Sequence, residues 1–168
     1  MRSISVRHNF EAAHRLPLLG DKCTNLHGHS WWATVTVSAP ELDGYGTIVE
    51  FGGFKAHMRA WIDTNLDHGA MLGNQDPLAK ILLEHGCKVF RFGYDWPGAD
   101  WPTVEAVAEM IADRAVMWLP PEPPDGTHIA RVVVTETHVN AAEWEAPAPR
   151  VTVREVWSRA TQPLRESA

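Results

Sequence analysis

The chain has 168 residues, 45% of them hydrophobic and 21% charged, which suits a single domain with its own core. Fifteen Lys and Arg against 21 Asp and Glu leave a net charge of −6, which excludes a general nucleic-acid or membrane-surface binder with a basic stripe. Nine histidines are many for this length, whereas two cysteines, Cys23 and Cys87, are too few for a disulfide scaffold. The sequence shows neither an apolar leader nor a run of about 18 apolar residues, so a cytoplasmic location with free thiols is expected.

Ser3 to Phe10 alternates, with Ile4, Val6, His8 and Phe10 on one side, and predicts a strand. Trp31 to Ser38 (WWATVTVS) alternates Thr and Val and predicts a second. Residues 39–46 are turn material, and Thr47–Phe51 reads as a short extended piece. Phe51, Phe54, Met58, Trp61 and Asn65 then recur at helical spacing, with Ile62 widening the apolar side. Asp76-Pro77 is an N-cap followed by proline at the first helical position, and Gly86 closes that short helix. Lys88–Phe92 predicts a short strand. Thr103 caps a longer helix reaching Trp118, which the run PPEPPDG from Pro120 stops. Ile129–Val139 and Arg150–Trp157 predict two further strands, before a polar tail at 158–168. The order implies one α+β domain over 1–157 with an antiparallel sheet.

His27-Gly28-His29 is the sharpest feature. Residues two apart on a strand share a face, so both imidazoles can converge on one ion if the pair opens the second strand. His14 sits at the end of the first strand, where an antiparallel neighbour delivers it as a third ligand. Three imidazoles with an open fourth position is the pattern of a catalytic zinc site. The alternative is a surface turn carrying two histidines by chance. Cys23, four residues before His27, is a fourth ligand, an activated thiolate, or a small buried hydrophobe. Burial is the expectation for Cys87. Asp67-His68 pairs a carboxylate with an imidazole in a loop, where one can orient the other; a helix C-cap with a solvated histidine is the plainer reading. Glu136 lies in the otherwise apolar VVVTET. It sits either on the solvent side of an edge strand or as an acceptor for two parallel N–H donors of an amidine-like ligand. His8, His57, His85, His128 and His138 have no such company, and Trp96 and Trp101 flank a Pro/Gly-rich loop as candidate pocket or interface residues.

Taken together, FEAAHRL (Phe10–Leu16), CTNLHGHS (Cys23–Ser30), LDH (Leu66–His68), PTVE (Pro102–Glu105) and TET (Thr135–Thr137) resemble the 6-pyruvoyl-tetrahydropterin synthase family. Within that family the chain is similar to the bacterial 6-carboxy-tetrahydropterin synthases of the queuosine pathway. The resemblance implies a T-fold (tunnelling fold), with two main helices on one sheet face and an inserted short helix. It also implies a trimer-based homo-oligomer, up to a hexamer, with active sites at subunit boundaries. It implies zinc on His14, His27 and His29, Cys23 as proton acceptor, a relay of Asp67 and His68, and Glu136 gripping the pterin edge with Thr103 nearby. The implied substrate is 7,8-dihydroneopterin triphosphate. Carbon–carbon cleavage gives a 6-carboxy product with acetaldehyde, and triphosphate elimination alone gives a 6-pyruvoyl product. Two classes stand as rivals: a non-catalytic metal-binding module of the same fold, and a zinc hydrolase. Glu50-Phe51 replaces the family's Asp-Phe, Asn74 is displaced by one position, and the stretch 76–101 is longer than in short members.

Overall fold

A computed structural model of the chain describes residues 1–147. The elements run β1 (Arg2–His14), β2 (His27–Ala39), α1 (Phe51–Asn65), β3 (Gly69–Gly73), α2 (Pro77–Glu84), β4 (Val89–Phe92), α3 (Val104–Ala115), β5 (His128–Thr135) and β6 (Ala141–Glu145). The expected strand Arg150–Trp157, the polar tail and the boundary between them lie outside the described residues. No described helix is long and apolar enough to cross a membrane.

Alternating Thr/Val and Ser/Ile/Val patterns make β1 and β2 a long antiparallel pair, in register from Arg2↔Ala39 to His14↔His27. β5 and β6 extend this ladder antiparallel on one side. On the other side β3 and β4 run parallel to β1, giving one six-stranded sheet of order β4-β3-β1-β2-β5-β6. The sheet is therefore mixed: its antiparallel part is β1-β2-β5-β6, and β3-α2-β4 adds a parallel crossover unit.

Alternation puts Phe10, Trp31, Val35 and Val132 on one face, packed beneath Phe54, Met58 and Ile62 of α1 and Met110 and Ile111 of α3. Truncating a fully buried side chain such as Met58 to alanine costs about 2–5 kcal/mol in such a setting. A second, smaller cluster joins Ala70, Leu72 and Ala79 with Ala13, whose side chain is on the opposite sheet face. So α1 and α3 cover one face, and the short α2 covers the other at the sheet's β4 end.

The capping signals act as read. Asp76 accepts from the Leu78 N–H, Thr103 from the Ala106 N–H, and Gly86 follows α2 at φ +75°. The Thr47–Phe51 piece is not a strand. The Glu50 carboxylate accepts from the N–H groups of Gly53 (2.5 Å) and Gly52 (2.6 Å) and caps α1; these two bonds hold its pKa below the usual range. β5 ends at Thr135 rather than Val139, because the chain turns over Thr137–Asn140 and returns as β6. β3 and β6 are strands that the sequence pattern did not announce.

Candidate metal centre

His14 closes β1, and His27 and His29 open β2. The register pairs His14 with His27 and Ala12 with His29, so strand alternation turns all three imidazoles to the same face at the same end of the sheet. One ring nitrogen from each lies within 4.8 Å of the others. Main-chain carbonyls fix the rings: Pro102 O is 3.0 Å from His14 Nδ1, and Asn25 O is 2.8 Å from His27 Nδ1. A carbonyl only accepts, so both Nδ1 atoms carry the hydrogen, and both Nε2 atoms are left as lone-pair donors. Neither carbonyl could be foreseen from the sequence, because every residue offers one.

Burial lowers the pKa of His14, and that of His29 likewise, overriding the opposing charge of Glu136 and keeping both rings in the neutral, ligating form. Nε2 of His14 and of His29 are buried with no hydrogen-bond partner. Glu136 Oε1 lies 3.1 Å from the first and 3.7 Å from the second. A carboxylate oxygen facing imidazole lone pairs at that range is repulsive unless a cation lies among them. Orphaned buried nitrogens, convergent lone pairs and an adjacent carboxylate fit a divalent transition-metal ion. Glu136 reaches this place by continuing the alternation of Val132 and Val134 one residue beyond β5; its side chain is 17% exposed, which removes the solvent-edge alternative.

Cys23 is half-buried in a short 3-10 turn (Asp21–Thr24), its carbonyl accepting from the Leu16 N–H at 2.7 Å, which closes the loop between β1 and β2. Its sulfur is outside the set of convergent ligand atoms. Cys87 is a free, exposed thiol, contrary to its expected burial, because it follows the C-terminal turn of α2 at the surface. Thr103 uses its hydroxyl as the α3 cap, directly after the carbonyl that orients His14. Asp76, also a cap, is buried and gripped by the Arg15 guanidinium, an ion pair with no sequence signal. His8 gains Asp63 as partner at 3.0 Å. Trp96 is a core residue whose Nε1 donates to Asp113 (3.1 Å), and Trp101 lines a small polar hollow with Asn74 and Asp100.

Asp67 and His68 lie between α1 and β3. Asp67 Oδ1 accepts from the Glu11 N–H at 2.8 Å, and its Oδ2 is 2.6 Å from His68 Nδ1. Burial pushes the Asp67 pKa up, but the bonds from Glu11 and His68 and the charges of His68 and Lys88 outweigh it and hold the group below the usual range. The His68 side chain is 79% exposed and borders a hollow with Glu11, Ala13, Gly28 and Ser30, which Ala12 and His29 also line. Those four alternate with Ala12, His14, His27 and His29, so their side chains belong to the opposite sheet face. Within one chain, His68 is not among the convergent ligand atoms, and His29 is the member of the trio that borders the same hollow.

The family's sequence profile, described as 6-pyruvoyl tetrahydropterin synthase, matches residues 3–147. A Rickettsia bellii protein named 6-carboxy-5,6,7,8-tetrahydropterin synthase is 36% identical over 86 residues, which cover 50% of this chain and 62% of that protein's length. A Synechocystis sp. protein of the same name is 32% identical over 143 residues, covering 83% of this chain and 89% of the other. The structure of Caenorhabditis elegans 6-pyruvoyl tetrahydropterin synthase superposes with a TM-score of 0.61 at 19% identity, covering 87% of this chain and 96% of that one, a likeness of fold. An α+β domain of the tetrahydropterin synthase type is thus defined, with three histidines that could hold a metal ion converging at one end of its sheet. The chain belongs to the 6-pyruvoyl tetrahydropterin synthase family and has its T-fold.

Proposed function

We propose that the chain is a zinc-dependent lyase that converts 7,8-dihydroneopterin triphosphate and one water to 6-carboxy-5,6,7,8-tetrahydropterin, releasing acetaldehyde and triphosphate. The observation that carries this reading is the convergence of His14, His27 and His29, with two Nε2 atoms buried and unpartnered. Three neutral imidazoles and an open position suit zinc. The curated relatives' shared name supports the 6-carboxy product over the 6-pyruvoyl one.

Zinc held there supplies Lewis acidity to the side-chain oxygens of a bound dihydropterin. Glu136 accepts the 2-amino and N3 hydrogens of the ring in two parallel charge-assisted bonds, which sets the side chain in one register. The Cys23 thiolate takes a carbinol proton, and His68, oriented by Asp67, returns one. His68 is largely exposed and outside the convergent ligand set of its own chain, which suits action on the centre of a neighbouring copy. The sheet edges favour such an assembly: β3 covers β1 only from Ala12 to His14, so among the described residues the outer edge of β1 from Arg2 to Phe10 has no strand partner, and neither has the outer edge of β6. Edges of this kind pair into a closed ring of copies, a trimer-based homo-oligomer. Glu136 has a second reading, as a fourth metal ligand, favoured by its 3.1 Å approach to His14.

Zinc-loaded protein incubated with 7,8-dihydroneopterin triphosphate tests the proposal, the products being separated by mass. The 6-carboxy product with acetaldehyde is expected. A 6-pyruvoyl product would move the chain to the other branch, and no turnover of any dihydropterin would overturn the enzymatic reading.

A further inference from the structure

We propose that Lys88, at the head of the inserted strand β4, is a positioning residue for the Asp67–His68 pair, clamping the loop that carries it. The inference rests on the reading that this pair transfers protons. His68 adopts φ +57°, a left-handed conformation that a non-glycine residue keeps only when its surroundings enforce it. Two restraints come from β1, through the His68 N–H on Glu11 O (2.6 Å) and the Glu11 N–H on Asp67 Oδ1. The third comes from the insertion. Lys88 Nζ donates to the carbonyls of Asp63 and Asp67, both at 2.6 Å, at the C-terminal end of α1, where a cation also complements the helix dipole. Its stem lies against Gly69, where an added Cβ would come within 2.9 Å of Lys88 Cδ. The Ala70 N–H bonds to Lys88 O, so the anchor is itself held by the β3–β4 ladder.

Other charges leave this role to Lys88. Asp63 pairs with His8, the Glu11 carboxylate accepts from Ser30, and Lys88 has no carboxylate partner within ion-pair distance among the described residues. Its ammonium therefore acts on the loop and on Asp67. Removing it loosens the His68 backbone and raises the Asp67 pKa, which moves the acid limb of the kcat profile toward higher pH.

The test compares Lys88→Met, Lys88→Arg and His68→Ala in the zinc-loaded oligomer. Lys88→Met is expected to lower kcat about 10- to 100-fold, with KM moving less than about threefold, to shift the acid limb upward, and to lose hydrogen-exchange protection at the His68 amide. Lys88→Arg restores most of each. Should Lys88→Met fail to fold, Lys88→Gln, which keeps a polar donor but removes the charge, gives the same kcat loss in smaller measure. Wild-type kcat and amide protection in Lys88→Met, with His68→Ala inactive, would overturn the role of Lys88 alone. Full activity in both Lys88→Met and His68→Ala would overturn the proton-transfer reading beneath it.

Discussion

The two ends of this chemistry are built in opposite ways. The histidine trio belongs to regular strands, sits on the core face beside Trp31, and takes its orientation from two carbonyls of the same chain. The Asp67–His68 pair belongs to a loop, presents a largely exposed ring, and depends on a left-handed backbone held by Glu11 and Lys88. On the proposed reading the first is complete in one chain, whereas the second acts on a substrate held by a neighbouring copy. Ligands on regular strands, His14 buried and His27 and His29 half-buried, suit an ion that stays, and an exposed imidazole suits a substrate held by a neighbour.

Substitution should separate the two regions sharply. His27→Ala is expected to abolish both bound zinc and turnover. His68→Ala should keep one zinc per chain, read by elemental analysis, while kcat falls about 10²–10⁴-fold, the usual worth of a general acid or base. Zinc loss in His68→Ala would erase the distinction. A smaller effect is expected at Glu136, whose replacement by Gln removes the charge from two hydrogen bonds. Substrate affinity should fall about 10- to 100-fold with zinc content unchanged, as for charge-assisted bonds worth about 1.5–3 kcal/mol each. If zinc affinity falls instead, Glu136 is a fourth ligand. The smallest effect belongs to Thr103. Because its hydroxyl caps α3, Thr103→Ala should cost about 1 kcal/mol in denaturant unfolding and Thr103→Ser should recover it. A large rise in KM without loss of stability would place the residue in the substrate site instead.

Much of the trio was legible, because His14 and the His27-Gly28-His29 pair fall at strand ends whose alternation is plain in Ser3–Phe10 and Trp31–Ser38. The helices were legible through their caps, Asp76 and Thr103, and their apolar spacing. β3 was not: GAMLG is four buried residues after a glycine, without alternation, as parallel strands covered on both faces read. β6, AAEWE, carries too little apolar pattern to announce an edge strand. The placement of Asp67–His68 beside Glu11 at the outer edge of β1 follows from the contact of Ala12–His14 with Gly69–Met71, a pairing that no local signal encodes. The clamp by Lys88 is equally invisible, since it is a contact between a side chain and main-chain carbonyls some 20 residues away.

The central claim is that the metal centre of one chain works with the histidine of another. Chains carrying His27→Ala and chains carrying His68→Ala, each inactive alone, are dissociated, mixed in equal amounts and reassembled with zinc. Random assortment then gives intact trios facing intact pairs at roughly a quarter of the sites, so about that fraction of wild-type turnover is predicted. If the mixture assembles, binds zinc at half its chains and yet stays inactive, the two regions serve the same chain and the account is wrong.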